Sequence, residues 1–193
     1  MFRTASAVAD LAKAYELAPS SFDVAYHLAL AHYLSGQFDD AARVYRACLD
    51  GVAPAATLPA GWRSCTKTKA TPDDRVAMSD WLYRALRRGG RHAEAKALAA
   101  EIADGWTVGD NEAYYTALRF YRGAVSESQA MAATTARENR LVTVGYGIAV
   151  HRLAEGETSA GCALLKRIAD EPNWNAFGVI AAEADLARRN TCG

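Results

Sequence analysis

Phe22-Asp23-Val24-Ala25-Tyr26-His27-Leu28-Ala29-Leu30-Ala31-His32-Tyr33-Leu34 runs through Ser35-Gly36-Gln37 into Phe38-Asp39-Asp40-Ala41-Ala42-Arg43-Val44-Tyr45-Arg46-Ala47-Cys48-Leu49-Asp50. In both halves apolar residues return every three or four positions, the spacing of a helix with one buried face. Ser20-x2-Asp23 resembles a capping box at the start, and Gly36 supplies the stop between the halves. The stretch therefore reads as a helical hairpin, Phe22 to Leu34 and Phe38 to Asp50.

The hairpin recurs along the chain. The inner stripe Ala41-x3-Tyr45-x2-Cys48 appears one period earlier as Ala7-x3-Leu11-x2-Ala14, and beyond the hairpin as Ala95-x3-Ala99-x2-Ile102. The forward step is one period plus an insertion, and it also carries Leu28 to Leu82, Gly36 to Gly90 and Phe38 to His92. A further step, close to two periods, carries Leu82 to Ile148, Gly90 to Gly156, Ala95 to Gly161 and Ile102 to Ile168. The period is roughly 34 residues, a size that marks a repeat architecture.

Working outward, Thr71-Pro72-Asp73-Asp74 opens another helix, with proline in the first turn and carboxylates at the positive end of the helix dipole. That helix runs to Arg88, is ended by Gly89-Gly90, and has a partner from His92 to Asp104. Further helices are expected from Asn111 to Arg122, Glu127 to Glu138, Leu141 to Glu155, Thr158 to Asp170 and Trp174 to Arg189. An opening helix from Ser6 to Leu17 makes about ten. The expected organisation is one domain: a half repeat at 5–19, a repeat at 20–50, an inserted loop at 51–70, a repeat at 71–104, a degenerate repeat at 110–138, a repeat at 141–172 and a terminal helix at 174–189.

A helical hairpin of this period with these inner positions resembles the tetratricopeptide repeat. Leu28-Ala29, Gly36, Phe38, Ala41, Tyr45 and Cys48 stand where that family places Leu-Gly, Gly, aromatic, Ala, aromatic and Ala; Ala25 and His32 depart from the large aromatics it places there. The resemblance implies an all-α, right-handed superhelix whose first helices line a concave groove, and a role as a protein-interaction scaffold without chemistry of its own.

Composition agrees with such a scaffold. The chain has 193 residues, 51% of them hydrophobic, and alanine makes up about a fifth. Lys+Arg and Asp+Glu are both 22, so no net basic field is available to hold a nucleic-acid backbone. The longest clean apolar run, Leu141 to Val150, is half the ~20 residues of a membrane-spanning helix. Asp10 and Lys13 interrupt the N-terminal stretch, which places the chain in the cytosol unless an upstream export segment has been removed.

In the repeat register, groove-facing positions include Tyr26, Tyr33, Arg84, Arg87, Arg88, Tyr115, Arg119, Arg122 and Tyr146. Arg84 and Arg88 lie one turn apart, as do Tyr115 and Arg119, so guanidinium forks would stand beside aromatic rings and suit an acidic or phosphorylated peptide. The competing reading is a solvated helix face in a chain with 17 Arg against 5 Lys. The lysine and asparagine arrangement of the family's carboxylate-clamp subgroup is missing, so the resemblance implies no chaperone-tail specificity.

No catalytic, cofactor or metal site is expected. His27 and His32 are turned roughly 140° from one another on a helix. His151 and Glu155 share a face without a third group, and Asp73-Asp74 serves a helix start. Neither a Gly-rich phosphate loop nor a Gly-x-Ser-x-Gly or His-Glu-x-x-His motif occurs. The loop at 51–70, with Pro54, Pro59, Trp62, Arg63, Lys67 and Lys69, is longer than a helix–helix turn requires. Trp62-Arg63 could fold over the groove as a lid, or the loop is a surface segment pinned by its tryptophan. Cys48–Cys65 and Cys162–Cys192 are placed to pair, in which case the protein works in an oxidising compartment; alternatively Cys48 and Cys162 are buried thiols. The rival to a scaffold that binds a protein segment is a self-associating homo-oligomer built on the opening helix; a third reading, an enzyme with the 51–70 loop as its lid, would need a polar constellation under Trp62 that the sequence does not show.

Overall fold

The structure, a computed structural model, describes residues 4–51, 57–66, 71–132, 138–188 and 192. Among these the chain forms ten helices and no named strand. They are α1 (Thr4–Leu17), α2 (Phe22–Leu34), α3 (Phe38–Asp50), α4 (Pro72–Arg88), α5 (His92–Ala100), α6 (Glu112–Tyr121), α7 (Glu127–Ala132), α8 (Glu138–Ala154), α9 (Thr158–Ala169) and α10 (Phe177–Ala187). The expected all-α array of antiparallel helix pairs is the observed architecture.

Local chemistry explains the boundaries. Ser21, one residue after the expected cap, accepts from the Val24 amide at 3.4 Å and starts α2. Pro72 opens α4, Asp73 and Asp74 occupy its first turn, and Arg87 and Arg88 its last, matching the dipole at both ends. The hairpin turns share one geometry. Gly36, Gly90, Gly123 and Gly156 have φ of 80°, 75°, 78° and 84°. In each turn the following residue donates back five positions: Gln37 to His32 O, Arg91 to Leu86 O, Ala124 to Arg119 O and Glu157 to Arg152 O, all at 2.8–2.9 Å. This is the 6→1 bond of a glycine-terminated helix. Gly123 shows that the loosely patterned 110–138 segment turns like the others.

Several boundaries differ from expectation, most by one or two residues; α8 begins at Glu138 rather than Leu141. α5 stops at Ala100 rather than Asp104, because Glu101 and Ile102 donate only three residues back, to Leu98 and Ala99. Residues 133–137 of the helix expected to reach Glu138, and Arg189 at the expected end of the last one, lie outside the described residues. α10 begins at Phe177 rather than Trp174, which stays 76% exposed.

The even-numbered helices form an inner ring. α2 meets α4, α4 meets α6, α6 meets α8, α8 meets α10, and α10 returns to α2, while α4 also touches α8 across the middle. The odd-numbered helices lie outside: α3 wedges between α2 and α4, α5 between α4 and α6, and α9 between α8 and α10. One apolar core runs through the ring, from Phe22 and Tyr33 through Trp81, Leu82 and Tyr146 to Val179 and Ala182. Two glycines permit the closest approaches. A Cβ on Gly147 would lie 2.0 Å from Tyr121 Oη, and one on Gly178 would lie 2.2 Å from the Val142 carbonyl oxygen. A side chain at Gly178 would push α10 away from α8, and one at Gly147 would displace the Tyr121 hydroxyl that bonds Asp80.

Candidate functional site

The expected open groove is closed. Because α10 reaches α2 and α4 reaches α8, the inner helix faces pack on one another, and most residues assigned to a groove wall are internal. The correction is sharpest at Arg84, whose side chain is 0% exposed. It pairs with Asp80 one turn earlier at 2.5 Å, donates to the Thr143 carbonyl at 2.9 Å, and lies over the Trp81 and Tyr146 rings at 4.6 and 5.1 Å. Asp80 also accepts from Tyr121 Oη at 3.0 Å. Burial nevertheless pushes its carboxyl up to about 6, against the pull of Arg84 and Tyr121. Around this pair, Arg84 Nε and Nη1, Trp81 Nε1, Ser79 Oγ and Tyr45 Oη have no hydrogen-bond partner among the described residues.

A second network closes the ring. Tyr146 Oη donates to Asp185 at 2.9 Å and receives Tyr33 Oη at 2.7 Å. Arg88 pairs with the same buried Asp185 at 3.0 Å, and Arg188 pairs with it one turn on. Arg188 then donates to the Tyr33 and Leu34 carbonyls, at 3.1 and 2.7 Å, capping the end of α2. Burial raises the Asp185 carboxyl, against the pull of Arg88 and Arg188.

The remaining predicted residues divide. Arg87 pairs with Glu155, and Tyr83 Oη meets His151 Nδ1 at 2.9 Å beside them. Burial and then the Arg87 charge lower the His151 imidazole, while burial pushes the Tyr83 hydroxyl up to about 12. Tyr26 is enclosed by Phe22, Tyr45 and Phe177. Tyr115, Arg119 and Arg122 do not join the inner face. Tyr115 Oη donates to the Ala103 carbonyl at 2.8 Å, and both arginines pair with Asp104. The sequence reading missed Asp185 and Arg188; the available signal was weak, since Asp185 is one of two carboxylates on α10 and Glu183, two residues earlier, is exposed.

Trp62 and Arg63 do not cover the inner face. The loop is fastened at the N-terminal end of α2 instead, where Ser64 bridges to Ser21, the Phe22 amide donates to the Arg63 carbonyl at 3.0 Å, and the Cys65 amide donates to the Ser20 carbonyl at 2.8 Å. Arg63 pairs with Asp23 and, at 2.8 Å, with Asp74, and lies 4.2 Å over the Phe22 ring. Of the two alternatives for the cysteines, the structure has both pairs as disulfides, Cys48–Cys65 and Cys162–Cys192. Pro54, Lys67 and Lys69 of the loop lie outside the described residues.

Trp62 is 50% exposed and, with Leu11, Asp23, Val24, His27 and Gly61, lines an open apolar cleft of about 300 Å³. Trp174 and Leu17, exposed by 76% and 80%, are the other large exposed apolar side chains among the described residues. In sequence, Leu17 ends α1 ahead of α2, Trp62 adjoins Arg63, and Trp174 stands three residues before Phe177, whose ring lies 6.2 Å from that of His27. A wider cleft of about 600 Å³ runs between α3, α4 and Arg91, but its Arg43 and Arg91 are engaged by Asp40 and Glu94. His27 and His32 bond separately, to the Asp23 carbonyl at 2.7 Å and to Gln37 at 2.9 Å. Among the described residues no group of three His, Cys, Asp or Glu could hold a metal ion. Among them, too, no helix is long and apolar enough to cross a membrane. Compared with known proteins, the chain matches no family model, no curated protein and no solved structure.

Proposed function

We propose that this chain is a non-catalytic helical-repeat scaffold, built like a tetratricopeptide array, that binds a segment of a protein partner in the cleft beside Trp62. The display of Trp62 carries this reading. A half-exposed tryptophan stands on a loop restrained by a disulfide, an arginine paired with two carboxylates and an isolated backbone bridge. Those restraints remove the ordering cost a mobile loop would meet on binding. Exposed aromatics at the rim of an apolar cleft are typical interface anchors. The two disulfides suit work in an oxidising compartment.

Selection of a random peptide library on the immobilised chain tests the reading. Enriched peptides should share a large apolar anchor and lose at least tenfold in affinity on Trp62→Ser or Leu11→Glu chains with unchanged helical content. No enrichment over bare support, or enrichment indifferent to both substitutions, refutes it. A second reading, self-association through α1, is favoured by the 80% exposure of Leu17 and by the packing of α1 chiefly on α2. A mass that rises with concentration and returns to the monomer in Leu17→Glu would select it.

A further inference from the structure

The inner face has an occupant, and its chemistry describes a partner. α10 is the one inner helix not followed by a hairpin partner among the described residues. Its buried side is small: Gly178, Val179, Ala181, Ala182 and the carboxylate of Asp185. That side covers Tyr33, Tyr146 and Arg88, three of the residues the repeat register assigns to a ligand groove, and Asp185 supplies the carboxylate that Arg88 and Tyr146 engage. The fully buried apolar side chains of α10 are small, and Phe177 and Leu186 add partly buried area against the same core. Other attachments add to this burial: Arg188 at the end of α2, Phe177 against Tyr26, and the Cys162–Cys192 disulfide, which ties the chain beyond α10 to α9.

We propose that α10 is an intramolecular occupant of a binding face, and that the face accepts in its place a partner helix of the same chemistry. Such a helix carries glycine or alanine on its contact side and one carboxylate aimed at Arg88 and Tyr146. The inference deepens the scaffold reading and rests on it, but uses a different surface from the Trp62 cleft. The disulfide sets how readily the exchange occurs, because a tethered α10 competes at high effective concentration.

The test uses the full chain carrying Cys162→Ser and Cys192→Ser, alone and with Gly178→Leu added. The leucine meets the Val142 carbonyl and pushes α10 off while leaving the receiving residues unchanged. The probe is a fluorescein-labelled peptide with the sequence of residues 176–188. Amide exchange in α10 should run ahead of exchange in α2, α4 and α8 in both variants. The peptide should bind the Gly178→Leu chain at least tenfold more tightly than the oxidised wild type, and lose tenfold when its own Asp185 is replaced by asparagine.

Exchange in α10 only together with the whole core, in either variant, would make it an ordinary wall of the fold and overturn the proposal. So would an opened α10 without peptide binding, or binding indifferent to the carboxylate. Peptide binding should be unaffected by Trp62→Ser, so the two surfaces stand or fall separately.

Discussion

Arg84 and Arg63 each lie over an aromatic ring and each meet carboxylate, one at the centre of the molecule and the other at its rim. Arg84 is 0% exposed between Trp81 and Tyr146, with Asp80 also at 0%. Arg63 is half exposed over Phe22, between Asp23 and Asp74. At the centre, both charges of the pair have lost their water, so removing either partner strands the other. At the rim, solvent screens each pair, and the geometry serves mainly to hold the loop and its tryptophan in place. Residue types that look alike in a sequence thus serve fold closure in one region and display in the other.

The comparison breaks most visibly at Arg84. Arg84→Met should cost about 3–5 kcal/mol in urea unfolding at pH 7, because it strands the Asp80 carboxyl inside the ring. Asp80→Leu combined with Arg84→Met should recover part of that loss, since no buried charge is then stranded, while the Thr143 carbonyl and the Tyr121 hydroxyl each lose a partner. A loss below about 1 kcal/mol for the single variant would mean that the centre behaves like a rim.

Next in size is the Cys48–Cys65 disulfide, which closes a separation of 17 residues. Replacing both cysteines by serine should cost about 3 kcal/mol by the chain-entropy argument, and the amide of residue 65, bonded to the Ser20 carbonyl, should lose exchange protection. Cys162→Ser/Cys192→Ser, at a separation of 30, should cost about as much while leaving that amide protected. Equal loss of protection in both pairs would show that the loop has no fastening of its own.

Asp80 gives the centre a pH signature. Its carboxyl titrates near 6 in the folded state against 3.8 when free, so between those values the folded chain holds the extra proton. Stability from this group is therefore greatest at low pH and falls as pH rises through the window from about 4 to 6, by about 2 kcal/mol. The lowered His151 imidazole acts in the opposite sense, losing stability as pH falls below the free imidazole's 6.5. The two are separated by subtracting the urea-unfolding profile of Asp80→Asn from that of the wild type, and a flat difference would refute the assignment.

Much of the architecture was legible because it is local. The bounds of α2, α3 and α4 follow from Phe22, Gly36, Asp50, Pro72 and Arg88, each of which acts within a few residues of itself. The turn at Gly123 was equally available, midway in the sequence between Gly90 and Gly156, but degenerate helix patterns around it hid the spacing. The site was less legible, since inward-facing positions can be read from a repeat while what they face cannot. Whether the groove stays open depends on α10 approaching α8 at Gly178 and on Asp185 reaching Arg88, a partner half the chain away in sequence. Tyr115, Arg119 and Arg122 were grouped with Arg84 by register, but the early end of α5 at Ala100 leaves Asp104 placed to draw the two arginines outward.

The smallest stability change should come from Arg63→Ala, and it sharpens the comparison most. Arg63 is exposed enough that its two ion pairs should contribute less than about 1 kcal/mol together, and the backbone bonds at Phe22 and Cys65 remain without its side chain. The loop nevertheless loses the guanidinium that joins α2 to α4 beneath Trp62, so the tryptophan should sample more orientations and peptides selected in the cleft should bind several-fold more weakly. Urea unfolding and peptide titration on the same variant measure the two effects side by side. If Arg63→Ala destabilises the chain as much as Arg84→Met, the rim is part of the fold's support. If stability and affinity both stay unchanged, the restraint on Trp62 comes from the disulfide and backbone alone. A small loss of stability with a larger loss of affinity is what separates a displayed arginine from a buried one.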